Sequence, residues 1–445
     1  MQNHPSGNLW STEMIRRSGL VLVLSWGMMA LVWSQPTQWE SWFSAESAKS
    51  YRQAKKSLIR SDIPVMEAYG VLQQGPAYHR LDSTGFWEVQ LPGAGKEQDF
   101  HALVHIPSAY DPAIAWPVQV MLHGGVSQPN PKGVFRFVDT ASTAYDSLDY
   151  IGVYPSGWVG APWWNERQSD HLSRLITWLK YRVNMDEDRI YLKGVSDGAT
   201  GTWYQAQMLP DLWAAYGVSI GNLPGLSSLS DRQTYLANYG GMHFFMVQTV
   251  QDHLFPPQRS SLPYLPLLRD ARAFIEYRQI QDAGHDLSWY PQMRDTIQAF
   301  FRSHPRDPTP DTLFWETEAP EDNGRCFWLE IDRVGKIGGD VDLPDINEWK
   351  FGPNFDPTFK RDSLSGAVSA TFRANVFDIS TDNVKFLSLW ISPDMVDLAQ
   401  PLIVNINGKE RFRKMVEPKL ETLLESWELI HDRKQLYVAK ITFRI

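Results

Sequence analysis

The pattern Gly-x-Ser-x-Gly occurs twice in the chain, at positions 194–198 and 217–221. A serine at a sharp turn between a strand and a helix is a candidate nucleophile for acyl transfer, and the flanking glycines let strand and helix approach closely. The first copy follows a strand-like run and precedes a helix-like run, whereas Asn-Leu-Pro-Gly after the second copy does not begin a helix cleanly. The spacing therefore favours Ser196 over Ser219 as a nucleophile.

A serine hydroxyl needs a base that takes its proton and an acid that orients the base. Asp252 follows the strand-like run His243–Thr249, and His285 comes later in the segment Ala-Gly-His-Asp-Leu. The order serine, aspartate, histidine is the one expected when the serine sits at a strand-to-helix turn. We therefore predict a catalytic triad of Ser196, Asp252 and His285.

Other ionisable residues fit these roles less well. His253 adjoins Asp252, so that carboxylate would not normally orient it, while His304 and His431 fall outside the predicted catalytic domain. Asp197 directly follows the candidate nucleophile, and its carboxylate is expected at a helix N-terminus, where negative charge is favoured. We predict structural roles for these side chains.

The negative charge that develops on a carbonyl oxygen during acyl transfer is usually held by two backbone N–H groups. One donor is expected to be the N–H of Asp197. The other is expected to be the N–H of Gly125, or alternatively of Val126, in a His-Gly-Gly loop that follows a strand-like run. An ordinary glycine turn would explain the same loop, so the sequence alone leaves both interpretations open.

Beyond residue 100, strand-like and helix-like runs alternate, which predicts parallel βαβ units in a three-layer α/β domain. Apolar residues recur with helical spacing over 172–183 and again over 267–275. A last strand is predicted at Arg278–Ile280 and a closing helix at Pro291–Phe301.

The patterning changes again near the end of this domain. Residues 302–311 carry three prolines and few residues to bury, which predicts a linker. Further on, apolar residues alternate with period two, and Asn407-Gly408 between two strand-like runs is typical of a type I′ hairpin turn. We therefore predict an α/β catalytic domain over 95–301 and a β-rich, sandwich-like accessory domain over 312–445.

The N-terminal region has the features of an export signal. Two arginines precede an apolar run over 20–32, which is shorter than the about 20 residues that a membrane-spanning helix needs. We predict a signal peptide over 1–34, cleaved before Gln35, and an N-terminal extension over 35–94; an uncleaved membrane anchor is the alternative. Both interpretations place the catalytic domain outside the cytoplasm, in a secreted or periplasmic protein.

Composition argues against several classes of function. A net charge of −9 over 445 residues, with no long basic run, argues against nucleic acid as the main partner. A single cysteine, Cys326, excludes an intrachain disulfide framework and a multi-cysteine zinc site. The chemistry of the predicted triad requires neither a metal ion nor an organic cofactor.

Four segments resemble the α/β-hydrolase superfamily: residues 120–125, 189–198, the region around Asp252, and 283–286. Within it they resemble the secreted esterases, which include feruloyl and acetylxylan esterases and polyhydroxybutyrate depolymerases. The resemblance covers a little under half of the chain and implies the triad and oxyanion-hole donors named above. It does not settle the substrate, because prolyl oligopeptidase relatives share these elements, although they usually carry their extra domain before the hydrolase.

Three tryptophans, Trp158, Trp163 and Trp164, follow the strand-like run Tyr150–Tyr154. Loops at the carboxyl ends of strands border the active site in open α/β sheets. We therefore expect a substrate-binding wall on which a sugar or an aromatic acyl group stacks, with plain packing as the alternative.

The sequence as a whole favours an exported serine hydrolase that cleaves a small-molecule or polymer ester, including esters linked to polysaccharide. A serine peptidase of the prolyl oligopeptidase type and a catalytically inactive binding protein on the same scaffold are the alternatives. The accessory domain either binds polymer or cell-envelope material or only covers the hydrolase.

Overall fold

The computed structural model describes residues 36–45, 48–93, 97–136, 138–145, 147–337 and 363–445. The predicted signal peptide lies outside these residues and stays a prediction. Contacts divide the chain into a unit that ends at Pro64 and a unit that begins at Val65. None of the described helices has both the length and the apolar character needed to cross a bilayer.

The described residues of the first unit form two helices, α1 (Pro36–Phe43) and α2 (Ala48–Arg60). Aromatic side chains pack between them: the rings of Trp39 and Trp42 meet edge to face at 5.8 Å, and Trp42 lies 5.6 Å from Tyr51. The aromatic residues of these two helices therefore form a small cluster.

The second unit contains seventeen strands and nine α-helices among its described residues. Their bounds, in chain order, are α3 Val65–Gln74, β1 Gly85–Leu91, β2 Phe100–Ile106, β3 Trp116–Leu122, β4 Ile151–Pro155, α4 Glu166–Lys180, β5 Met185–Val195, α5 Asp197–Met208, β6 Tyr216–Ser219, α6 Leu226–Leu229, β7 His243–Thr249, α7 Pro257–Ser260, α8 Tyr264–Asp270, β8 Phe274–Ile280, α9 Tyr290–Ser303, β9 Thr312–Thr317, α10 Pro320–Asn323, β10 Arg325–Cys326, β11 Leu329–Val334, β12 Gly366–Arg373, β13 Val376–Asp382, β14 Val384–Ile391, β15 Leu402–Ile406, β16 Lys409–Lys414, α11 Leu420–Ile430 and β17 Ala439–Arg444.

The first eight strands form one sheet in the order β1-β2-β4-β3-β5-β6-β7-β8. Pairing is antiparallel from β1 through β2 to β4 and parallel from β4 to β8. Helices cover both faces, and the apolar stripe of α4 is buried at Leu172, Leu175, Ile176 and Leu179. The predicted three-layer α/β domain is confirmed.

The sheet includes β1, which begins at Gly85 and pairs along its whole length with β2. Near the opposite edge of the sheet, element boundaries differ from the sequence-based expectation. The helix predicted over 267–275 ends at Asp270, and β8 begins at Phe274. Arg272 has a φ of 64°, a left-handed conformation that ends the helix although the apolar spacing continues.

The C-terminal part forms a five-stranded sheet, β16-β15-β13-β12-β9, and a four-stranded sheet, β10-β11-β14-β17. Buried residues of both sheets share one core, among them Trp315, Val368 and Leu389. Asn407 and Gly408 have φ values of 51° and 74° between the antiparallel strands β15 and β16, which confirms the predicted hairpin. The predicted β-rich C-terminal domain is confirmed.

The segment predicted as a linker, 302–311, is anchored at its centre. Arg306 is buried and bonds two carboxylates: its Nη2 lies 2.8 Å from Asp188 Oδ1 on β5, and its Nη1 lies 2.9 Å from Asp432 Oδ2 after α11. The sequence does not reveal this contact, because an arginine among prolines has the composition of a solvated spacer. The segment joins the α/β and β-rich parts through a buried charge cluster.

Candidate active site

Ser196 occupies a strained turn between β5 and α5. Its φ of 56° and ψ of −120° lie outside the regions that a non-glycine residue ordinarily adopts. The Ser196 N–H donates to the carbonyl of Ser219 on the neighbouring strand at 3.0 Å, which holds the backbone while the hydroxyl stands at the end of the sheet. The strained turn therefore places the Ser196 hydroxyl at the end of β5.

The two glycines around Ser196 are required by close packing. A Cβ added to Gly194 would lie 2.1 Å from the carbonyl oxygen of Gly198, and one added to Gly198 would lie 2.0 Å from the carbonyl oxygen of Leu122. No side chain fits at these distances, so β3, β5 and α5 can approach only where both positions are glycine. The motif thus positions the serine through steric exclusion.

We expect Gly198→Ala to lower the free energy of unfolding by at least about 2–3 kcal/mol, because the new methyl group overlaps backbone that cannot move aside. Gly70→Ala is the matched control, since a Cβ there meets nothing within 4 Å in the interior of α3. That variant should gain about 0.5–1 kcal/mol from helix propensity. Urea unfolding followed by circular dichroism measures both values, and equal effects would contradict the packing argument.

Three side chains form a continuous hydrogen-bonded chain at this turn. Ser196 Oγ lies 2.8 Å from His285 Nε2, and His285 Nδ1 lies 2.8 Å from Asp252 Oδ2. A carboxylate only accepts, so Nδ1 carries the proton and Nε2 is left to accept from the serine hydroxyl. The predicted residues therefore meet in the geometry in which an imidazole can take the serine proton.

The carboxylate of Asp252 is fully buried and fixed in direction. Its second oxygen, Oδ1, accepts the N–H groups of Leu254 at 2.9 Å and Phe255 at 2.8 Å. The loop that carries His285 is held in turn, because the hydroxyl of Thr249 donates to the Gly284 carbonyl at 2.7 Å. These bonds orient the Asp252 carboxylate and hold the histidine loop without using the imidazole itself.

The glycine loop after β3 lies directly beside the turn. The N–H of Val126 donates to Asp197 Oδ2 at 3.0 Å, so that group is already occupied and the carboxylate ties the loop to α5. In the part of the chain that the structure describes, the N–H groups of Gly125 and Asp197 have no hydrogen-bond acceptor. Of the two donors considered for the loop, Gly125 is the one left available.

His123 fixes this loop, a role that the sequence analysis did not assign. Its Nε2 accepts the N–H of Gly157 at 3.0 Å, its Nδ1 lies 2.7 Å from the Gly124 carbonyl, and its own carbonyl accepts the indole N–H of Trp163 at 2.8 Å. Because Nε2 accepts an N–H, the proton is on Nδ1, which donates to the Gly124 carbonyl; burial, which lowers the pKa of His123, favours this form. The sequence feature that could have indicated this role is a histidine placed between a buried strand and two glycines.

The predicted tryptophan wall is wrong for two of its three members. Trp158 and Trp163 are 1% and 0% exposed, so a substrate cannot reach them. Trp158 stacks on His171 at 5.9 Å, and Trp163 fills the space beside Gly201, where an added Cβ would lie 2.1 Å from it. Trp164 is half-buried against the core, and its role in binding stays a prediction.

Loops after β6 and β7 enclose a pocket of about 370 Å³, here called the triad-side pocket. Phe255 joins it to the triad, since its ring meets the His285 ring edge to face at 5.2 Å. The lining mixes polar and apolar side chains, including Asn222, Leu229, His253, Leu254 and Arg259. Leu254 is 62% exposed at its rim, so the pocket is open to solvent.

Comparison with known proteins gave matches of limited extent. No family model matches the chain. The bifunctional acetylxylan esterase/xylanase XynS20E of Neocallimastix patriciarum is 30% identical over 127 residues, which are 28% of this chain and 18% of that protein. The chain therefore spans less than a fifth of the length of this curated relative.

Solved structures match about half of the chain. A ferulic acid esterase of Anaeromyces mucronatus matches with a TM-score of 0.39 and 15% identity, over 50% of this chain and 91% of that one. An acylaminoacyl peptidase of Pyrococcus horikoshii matches with a TM-score of 0.39 and 16% identity, over 51% of this chain and 43% of that one. From the strand order and the strained turn at Ser196, residues 85–303 have the α/β-hydrolase fold, and the sequence resembles feruloyl and acetylxylan esterases.

Proposed function

We propose that this chain is an exported serine hydrolase that cleaves carboxylic esters through an acyl-enzyme. The observation that carries the proposal is the chain of two 2.8 Å contacts from Ser196 through His285 to the buried Asp252. A serine held in a strained turn, with an imidazole nitrogen at hydrogen-bond distance, is arranged for nucleophilic attack.

In the first half of the reaction, Ser196 Oγ attacks the ester carbonyl carbon while its proton passes to His285 Nε2. Asp252 stabilises the imidazolium, and the N–H groups of Gly125 and Asp197 hold the negative carbonyl oxygen. His285 then gives its proton to the alcohol oxygen as the C–O bond breaks. The alcohol leaves, and the acyl group stays on Ser196.

In the second half, a water molecule gives a proton to His285 and attacks the acyl carbon. The tetrahedral intermediate collapses, the proton returns to Ser196 Oγ, and the carboxylic acid leaves. The triad-side pocket lies where one side of the ester would rest, because Phe255 contacts the imidazole and lines the pocket. The proposed cycle uses groups of this chain and water.

Substrate class is tested by parallel rates on an acetyl ester, methyl ferulate, acetylated xylan and a peptide p-nitroanilide. Acetyl and feruloyl esters come first because the relatives named above carry those activities in their names. We expect turnover of at least one ester and a rate on the peptide amide at least about 100-fold lower, because an amide nitrogen is a poorer leaving group than an ester oxygen and depends more on protonation by the imidazolium. A faster amide rate would favour the peptidase alternative.

We propose export from the apolar run over 20–32. Residues 1–40 fused to alkaline phosphatase, which is active only outside the cytoplasm, provide the test in a bacterial host. Phosphatase activity is expected, and sequencing of the mature N-terminus distinguishes cleavage before Gln35 from an uncleaved anchor. An inactive cytoplasmic fusion would contradict export.

The side chain of Asp197 is expected to act by holding the glycine loop in place. Asp197→Ala removes the acceptor for the Val126 N–H but leaves the Asp197 N–H, so we expect kcat to fall by about 10- to 100-fold, less than for loss of a donor itself. KM should change little, and Asp197→Asn should restore much of the rate because the amide oxygen still accepts. Asp170→Ala, on the exposed face of α4, is the control; an unchanged kcat in Asp197→Ala would contradict the role.

A further inference from the structure

Lys193 is a buried cation that the proposed reaction does not use. It stands on β5 three residues before Ser196, and only 8% of its surface is exposed. Its Nζ donates to Gln119 Oε1 at 2.9 Å and lies 5.6 Å from the centre of the Tyr150 ring. Among the described residues no carboxylate lies within ion-pair distance of this ammonium group. The charge is therefore buried without a counter-ion from the described chain.

Gln119 does not accept hydrogen bonds from all three N–H donors of the Lys193 ammonium group. Gln119 Oε1 also accepts from Gln298 Nε2 at 3.2 Å, while Gln119 Nε2 donates to Gln298 Oε1 at 2.6 Å. These bonds fix the amide with its oxygen toward the lysine and share that oxygen between two donors. An ammonium group carries three N–H donors, so Lys193 retains donor capacity. Burial lowers the pKa of Lys193 to about 8, and the group remains mostly protonated at neutral pH.

Lys193 lines a cavity of about 330 Å³ between the sheet and α9, here called the Lys193 cavity, and the ring of Tyr150 beside its Nζ lines the same cavity. Tyr150, Tyr154 and Tyr290 supply ring surface to it, and Met121 and Ile297 supply apolar surface. The volume is sufficient for a single aromatic ring with a substituent. Ser196, Asp252 and His285 are not among the residues that line it, but Val195, Ser219 and Leu287 are, so the cavity lies next to the triad without including it. Arg294 is a second cation in its lining.

We propose that the Lys193 cavity binds a small aryl carboxylate, with the carboxylate paired to the Lys193 ammonium group and the ring packed against the tyrosines. A buried cation is costly unless it is paired, and a carboxylate accepts charge-assisted hydrogen bonds from the N–H groups that Gln119 leaves over. A planar apolar body matches the aromatic and aliphatic lining. The proposal depends only on this cavity and does not depend on the hydrolase reaction.

Calorimetric titration with benzoate, benzamide and acetate tests the proposal on the full chain. Benzoate is expected to bind, whereas benzamide lacks the charge, acetate lacks the ring, and both should bind at least about tenfold more weakly. Ser196→Ala should bind benzoate as the wild type does. Equal binding of benzamide would overturn the role of charge, and equal binding of acetate would overturn the role of the ring. Loss of benzoate binding in Ser196→Ala would place the ligand at the triad instead and overturn the proposal.

Two variants locate the site. Lys193→Met keeps the length of the side chain without its charge and should weaken benzoate binding at least about tenfold. Its thermal midpoint without ligand should not fall below that of the wild type, because an unpaired buried charge has been removed. Ala144→Trp, at an exposed position of the cavity lining, should block entry and weaken binding similarly even where Lys193→Met does not fold. Unchanged affinity in either folded variant, or no benzoate binding into the millimolar range, would overturn the proposal.

Discussion

Ser196→Ala is expected to lower kcat/KM for p-nitrophenyl acetate by a factor of about 10⁴ or more, because the acyl-enzyme route is lost and only binding and oxyanion stabilisation remain. The structure gives this expectation a geometric basis: the hydroxyl removed is the one that lies 2.8 Å from His285 Nε2. The fold should survive, since alanine can be accommodated wherever the larger serine side chain is.

Ser219→Ala is the matched control, because it removes the same hydroxyl from the other Gly-x-Ser-x-Gly copy. Ser219 contributes its carbonyl oxygen to the Ser196 N–H, and that bond does not depend on the side chain. We expect the control to change kcat/KM by less than about threefold, within the range of a substitution away from the reacting atoms. A large loss in Ser219→Ala with a small loss in Ser196→Ala would reverse the assignment of the nucleophile.

Arg306→Met is expected to lower the free energy of unfolding by about 3–5 kcal/mol, because it leaves the buried carboxylate of Asp432 and the half-buried carboxylate of Asp188 without their main partner. The guanidinium donates to Asp188, to Asp432 and to the carbonyl of Asp211 at 2.6 Å. Lys180 Nζ lies 3.4 Å from Asp432 and can compensate only in part. Urea unfolding measures the loss.

Arg413→Met is the control for Arg306→Met. Arg413 pairs with Glu410 at 2.6 Å, but both side chains are about half exposed. Exposed pairs contribute about 0–1 kcal/mol, so the control should unfold almost as the wild type does. Similar losses in both variants would contradict the view that the buried cluster anchors segment 302–311.

The same cluster predicts how stability depends on pH. Burial alone would raise the pKa of Asp432, but pairing with Arg306 and Lys180 outweighs it and lowers the pKa well below the ordinary value. A carboxylate with a lowered folded-state pKa contributes stability above its unfolded pKa of about 4 and loses it as pH falls through the folded value. The difference in unfolding free energy between the wild type and Asp432→Asn should therefore be full above about pH 4 and shrink below it. A difference that grows in acid would contradict the pairing.

Features that depend on local sequence were predictable. The glycines around Ser196 exclude side chains at a single turn, and Asn407-Gly408 supplies the positive φ angles of one hairpin, so a few adjacent residues determine each feature. Alternating strand-like and helix-like runs were sufficient to predict the parallel part of the sheet, from β4 to β8, whose strand ends carry the serine and Asp252.

Features that depend on contacts distant in sequence were not predictable. Trp158 and Trp163 follow a strand end as binding residues would, but only the packing of the completed fold shows that both are buried. Arg306 gains its partners from β5 and from the region after α11, which lie more than a hundred residues away on either side. His123 likewise holds the glycine loop only because a separate loop brings the N–H of Gly157 to its ring.

The most direct test of the account is to treat the protein with a fluorophosphonate and to identify the modified residue by peptide mass spectrometry. A phosphonylating probe reacts with a serine only where a base has activated it. We predict modification of Ser196 in the wild type and in Ser219→Ala, and none in Ser196→Ala. Modification of a different residue, or no modification of the folded wild-type protein, would contradict the assignment of Ser196, His285 and Asp252 as a working triad.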